Sequence, residues 1–241
     1  MRVQMQQASN QSMNQPTIQT IQQNSREVRE ALLFHGLFFA LTIPLAAMLR
    51  GFELGLALTL FALAYNLALP LWGKSKGLGS TQSDWIPLWQ FLLPLSLSLP
   101  CADWMLVKQL GTLHFPDHGI PRIGGAVPVY FSGMWIMLLW PTCWLSLHTS
   151  KPYATMAVLS MTGFLVWEWV APAMALWQPQ NATIWQGIAL YVLVPELLLG
   201  LGTLLMWQLL KTKTRLVQIA GGLGMTVFYA GALALSLMWM G

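Results

Sequence analysis

The sequence predicts an all-α fold, a polytopic membrane helical bundle of about seven transmembrane helices, and three observations carry that expectation. Only 8% of the 241 residues are charged, where a soluble domain carries about a quarter. Hydrophobic residues make up 56% of the chain, and the mean hydropathy is +0.56. The apolar residues gather into seven runs, each long enough for the roughly 20 residues that cross a bilayer. The 13 Trp and 14 Met fit the same class, since Trp gathers at membrane interfaces and Met fills irregular gaps between helices.

Residues 1–28 form a Gln/Asn/Ser-rich stretch without the basic start and apolar core of a cleavable signal, and they read as a disordered cytoplasmic tail. Residues 29–241 then form one seven-helix transmembrane domain. The first run is Ala31 to Leu49 and the second Gly51 to Trp72. A polar, Gly-rich loop follows, and the third run, Trp85 to Leu110, carries Pro87, Pro94 and Pro100. Prolines free backbone carbonyls that neighbours must satisfy, so this helix is expected to be kinked and packed inside the bundle. The connection GTLHFPDHGIPRIGG is the most polar and Gly/Pro-dense in the body of the chain, and it reads as a structured loop or a re-entrant cap. Runs four to seven are Ala126 to His148, Tyr153 to Trp177, Ile184 to Leu210 and Leu216 to Met240.

Charge sets the expected orientation. Arg2, Arg26, Arg29, Lys74, Lys76, Lys151, Lys211, Lys213 and Arg215 fall on one side, and only Arg50, Lys108 and Arg122 on the other. The positive-inside rule then puts the N-terminus in the cytoplasm and the C-terminus outside. The net charge of +4 is scattered through short loops rather than clustered, so no nucleic-acid partner is expected. Cys101 and Cys143 lie in apolar runs with no ligand spacing, and they read as small buried packing residues rather than a disulfide or metal pair.

Three acids stand inside apolar runs: Asp103, Glu168 and Glu196. A charge at membrane depth costs about 2.5 to 3.5 kcal/mol even on lenient insertion scales, so each is a functional candidate. Counted from the ends of these runs at 1.5 Å per residue, Asp103 lies about 10 Å deep, Glu168 about 13 Å and Glu196 about 18 Å. One shared polar pocket under the outer loop is the expectation, with His114, Asp117, His118 and Arg122 above it. Structural readings stand beside the functional ones. Asp103 can pair with Lys108 near the interface, and either Glu can be a protonated acid bonded to a neighbouring helix. The spacing HFPDH can hold a metal, but Pro116 interrupts the regular turn that would align the two His, so a capped loop is the reading taken and no metal is assigned. Arg122 can fix the loop through Asp117 or hold an anionic headgroup.

At WEWVAPAMALWQP followed by LYVLVPELLLG the chain resembles the integral-membrane lycopene cyclase domain and, more loosely, the membrane carotenoid hydratases. Trp167, Glu168, Ala171 and Trp177 match the spacing of the first motif, and Pro195 with Glu196 matches the second, where Leu197 replaces its second acid. A wider likeness, FPDHGIPRIGGAVP and then GMW, is to uncharacterised bacterial membrane proteins. The resemblance implies an enzyme that protonates a double bond of an isoprenoid, by cyclisation, isomerisation or hydration, without a cofactor. Glu168, Glu196 and Asp103 would be the catalytic acids. Trp167, Trp169, Trp177, Trp185 and Tyr191 would steady a carbocation through their rings, with Asp117 and Arg122 also in contact with substrate. The expected partners are a membrane lipid or isoprenoid and other membrane proteins, in a bacterial inner or other energy-transducing membrane. The alternative is a non-catalytic protein that binds lipid or pigment or assists assembly of a membrane complex.

Overall fold

Apolar runs of this length wind into helices because a lipid environment offers backbone N–H and C=O groups no partner outside the segment itself. The computed structural model describes residues 18–78 and 83–241. Its helices are α1 (Ile18–Met48), α2 (Gly51–Ser75), α3 (Trp85–Leu110), α4 (Phe131–Leu147), α5 (Pro152–Val170), α6 (Leu190–Leu210) and α7 (Arg215–Met240). From Gln23 onward α1 is long and apolar enough to cross a membrane, and so are α2, α3, α6 and α7. The chain is an all-α membrane protein. The other two helices are shorter, with 17 residues in α4 and 19 in α5.

Contacts near the helix ends sort them into two groups. At the basic end Arg26 donates to the Lys76 carbonyl, His148 meets Glu27 at 3.6 Å, Lys211 meets Asp84 at 3.5 Å and Arg215 reaches Gln90. Among the described residues six short strands cap the opposite end. β1 (Leu113–His114) pairs with β4 (Gln178–Pro179), β2 (Arg122–Ile123) with β3 (Val127–Pro128), and β5 (Ile184–Trp185) with β6 (Ile188–Ala189).

Several expected boundaries move. Helix α4 begins at Phe131 rather than Ala126, α5 ends at Val170 rather than Trp177, and α6 begins at Leu190 rather than Ile184. In each case the apolar residues left over build the cap instead of crossing the membrane. The tail also differs from expectation, because helix begins at Ile18. Its Glu27 and Glu30 are buried, with His148 beside the first and Lys76 3.8 Å from the second. Residues 1–17 lie outside the described chain. Cys143 is buried as expected, but Cys101 faces outward, and both are free thiols.

The prolines of α3 divide it. It is α-helical to Ser98, resumes at Pro100, and runs as a π-helix over Leu106–Leu110 before Gly111 ends it in the left-handed conformation. The Ser98 hydroxyl satisfies the Pro94 and Leu95 carbonyls beside the break and also meets Thr226 of α7 at 2.6 Å. Ser96 ties α3 to α4, donating to the Ser132 carbonyl and accepting from the Ile136 amide. The core beneath is aromatic. Trp140 stacks on Trp144 with ring centroids 4.9 Å apart, Trp85 packs edge-on against both, and the indole of Trp85 donates to the Leu69 carbonyl.

Candidate functional site

The three membrane acids come together. Asp103 of α3, Glu168 of α5 and Glu196 of α6 line one cavity of about 80 Å³, walled by α3 to α7 and roofed by the cap. They are 4%, 8% and 4% exposed, so neither lipid nor bulk water solvates them. Depth is corrected by the new helix ends: Glu168 is only two residues from the end of α5, or about 3 Å, and Glu196 six residues into α6, or about 9 Å. The burial of Glu168 therefore comes from the cap and not from the bilayer midplane.

Each acid meets a different surrounding. The indole of Trp177, in the segment between α5 and β4, donates to Glu168 at 3.1 Å. The indole of Trp135 on α4 donates to Asp103 at 3.3 Å, while Lys108 is exposed and is not its partner. Glu196 differs, because its Oε2 is buried with no hydrogen-bond partner among the described residues. Nearby, the Tyr191 hydroxyl donates to Thr112 at 2.8 Å. Among the described residues no Lys, Arg or His lines the cavity. Three carboxyl groups in such a chamber cannot all be ionised without a positive charge among them, so the site holds protons or receives a cation.

The cap is built by the loop that sequence singled out, and its charges serve the cap itself. Arg122 donates to the carbonyls of Phe115 at 3.1 Å, Pro116 at 2.6 Å and Ala126 at 3.0 Å, and sits 3.7 Å from Asp117. Asp117 caps the turn at the Gly119 amide, with its side chain 82% exposed. Neither residue lines the cavity, and three of the five guanidinium N–H donors are engaged by carbonyls of the cap. His118 Nε2 donates to the Ala175 carbonyl at 3.0 Å, joining this loop to the segment after α5. Burial, with the nearby Arg122 charge adding to it, outweighs the Ala175 carbonyl and Asp117 and holds the His118 pKa below the usual histidine value. Among the described residues no cluster of three or more His, Cys, Asp or Glu is placed to share a metal ion.

The aromatic candidates divide. Trp167, Trp177 and Tyr191 line the chamber, with Trp167 stacked near Trp177 at 6.4 Å between centroids. Trp169 and Trp185 do not, being 64% and 58% exposed. Trp169 follows Trp167 by two positions and so leaves the helix on the far side, and Trp185 sits on the outer hairpin. Sequence reasoning missed Trp135 and Tyr229, which meet edge-on at 5.7 Å in the chamber wall. A lone tyrosine in the apolar α7 was the available signal for Tyr229.

A family model described as Domain of unknown function (DUF6989) matches residues 100–240, more than half of the chain. The chain belongs to the DUF6989 family. No characterised protein and no solved structure matches it. The DUF6989 match spans every chamber residue from Asp103 to Tyr229, whereas α1 and α2 precede it.

Proposed function

We propose that this DUF6989 protein is an integral-membrane enzyme that protonates a carbon–carbon double bond of an isoprenoid lipid of carotenoid type. One observation carries the reading: Glu196 presents a buried carboxyl oxygen with no partner to a chamber walled by aromatic rings. A protonated Glu196 gives its proton to one alkene carbon, the π pair forms the new C–H bond, and the adjacent carbon becomes a carbocation facing a carboxylate. The surrounding rings and the carboxyls of Asp103 and Glu168 stabilise that charge. Loss of a different proton back to the carboxylate gives an isomerised or cyclised product. Capture of the cation by water, with release of the water's proton, gives a hydrated one. Neither route changes oxidation state or calls for a cofactor, and either sets the protein in a bacterial inner or other energy-transducing membrane that carries the substrate.

The test is turnover of a linear carotenoid by purified protein in heavy water. One deuterium bound to carbon per product molecule is expected, and E196Q should abolish it while leaving the protein folded, because the amide keeps the shape but delivers no acid proton. Product without carbon-bound deuterium, or undiminished turnover by E196Q, refutes the mechanism. A second reading has its own observation, the indole bonds already made to Asp103 and Glu168, which are what structural acids make. A non-catalytic protein that binds lipid or pigment or assists assembly would keep its ligand or partner in D103N and E168Q and incorporate no label.

A further inference from the structure

The chamber shares a wall with a larger cavity. This second space, about 420 Å³, lies between α1 and α2 on one side and α5 on the other, with α4 beneath. Met134, Met137, Leu138 and Trp167 line both. Among the described residues no charged side chain lines the groove, and of its two threonines Thr42 has its hydroxyl bonded to the Phe38 carbonyl. Its volume falls within the roughly 300 to 1,000 Å³ of small-molecule sites, whereas the acid chamber by itself accommodates a head group the size of a few water molecules.

The two spaces differ in what they would hold. An anionic head is repelled from a chamber with three carboxyls and no base. A saturated hydrocarbon fits the groove but offers the acids neither a charge nor a double bond. A positive charge fits all of the chamber's wall, because carboxylates attract it and aromatic rings such as Trp135, Trp167 and Trp177 attract cations as well.

We infer that chamber and groove together bind one lipophilic organic cation, with an ammonium-type head among Asp103, Glu168 and Glu196 and its apolar chain in the groove between α1, α2 and α5. This rests on the chamber being the reacting site, since an ammonium head there carries the charge of the carbocation that protonation creates.

The test uses the full chain in lipid nanodiscs with dodecyltrimethylammonium, its uncharged carbon counterpart 2,2-dimethyltetradecane, and tetramethylammonium, which has a head and no chain. The long cation is expected to bind roughly tenfold more tightly than the uncharged molecule. E196Q and D103N should each remove most of that preference without changing binding of the uncharged molecule. If E196Q fails to fold, D103N alone decides the point. Val166 lines the groove and not the chamber, and is 51% exposed. V166W should therefore weaken both chain-bearing molecules and leave tetramethylammonium unaffected. Equal binding of the charged and uncharged chains, or a preference that survives both acid variants, overturns the inference and leaves the groove as a seat for ordinary lipid tails. Full affinity for the long cation in V166W overturns the placement of the chain. These readouts need no turnover: label-free protein that still prefers the cation fails the enzyme reading alone, and labelled product without cation preference fails this inference alone.

Discussion

Replacing Glu196 by leucine separates a working acid from a structural one through the sign of a stability change. Glu196 is 4% exposed and its Oε2 has no partner, so the folded state bears the desolvation of a polar group with no bond to offset it. Such a group costs about 1 to 3 kcal/mol, and leucine fills similar space without it. Glu196→Leu should therefore stabilise the protein by about that amount, raising the unfolding midpoint by about 2 to 4 °C per kcal/mol for a chain of this size. Glu168→Leu is the internal control. It takes the acceptor from the Trp177 indole and strands a buried donor, so it should destabilise by about 1 to 3 kcal/mol. Thermal unfolding of purified protein in one mild detergent gives both numbers, with turnover or ligand binding measured on the same samples. A midpoint for Glu196→Leu that is unchanged or lowered would show that Glu196 has a stabilising partner, and the argument for it as the proton donor would go with it.

The other predictions follow from single contacts. A double-mutant cycle on Trp177→Phe and Glu168→Leu should return a coupling of about 0.5 to 3 kcal/mol, and additivity within about 0.3 kcal/mol would show that the 3.1 Å bond carries no energy. Gly55→Ala brings a Cβ to 2.6 Å from the Cβ of His118, so it should cost about 1 to 3 kcal/mol and speed amide exchange in residues 113–130; wild-type exchange there would refute the packing of α2 under the cap. At the basic end, burial lowers the His148 pKa, but its bond to Glu27, the Trp144 carbonyl and the charges of Glu27 and Asp84 together raise it above the usual value. Its stabilisation is then fully present below about pH 6.5 and lost as pH rises through the raised folded value, and an unfolding midpoint in His148→Gln that falls as steeply over that window would contradict this. Reporter fusions after Lys76 and after Gly241 should lie on opposite faces of the membrane, and a shared face would break the seven-crossing arrangement.

The helices were legible because a bilayer leaves an apolar run of sufficient length few alternatives. Their ends were not. Ala126 to Tyr130, Ala171 to Trp177 and Ile184 to Ala189 read as continuations of the neighbouring helices because they are apolar too. Their apolar character has a different cause: Ala126, Val127, Tyr130, Ala171, Leu176, Trp177, Ile188 and Ala189 are buried in the cap. Hydropathy reports that a side chain avoids water and says nothing of whether lipid or a protein roof excludes it. The turn residues held the missing information. Gly187 adopts φ +88° between β5 and β6, Gly124 and Gly125 adopt φ +55° and +67° between β2 and β3, and all three occupy the left-handed region where glycine is favoured.

The acids were legible from cost, and most of the aromatic wall would have been legible from helical phase. Phe164, Trp167 and Glu168 fall at i, i+3 and i+4 and therefore share one face of α5, while Trp169 departs from it. Phe131, Met134, Trp135 and Leu138 form the same stripe on α4 and all line the chamber. The chamber's closure was beyond any single helix, since it depends on loops distant in sequence meeting above it. Leu113 lies opposite Pro179, Asn181 donates to the Gly111 carbonyl and His118 donates to the Ala175 carbonyl. These bonds hold the roof that keeps Glu168 dry within one turn of its helix end. Had α5 continued to Trp177, that indole would lie nine residues along the helix, about 13 Å from Glu168. By ending at Val170 the helix lets Trp177 fold back onto the carboxyl, and the site becomes a lidded chamber at the cap end of the bundle.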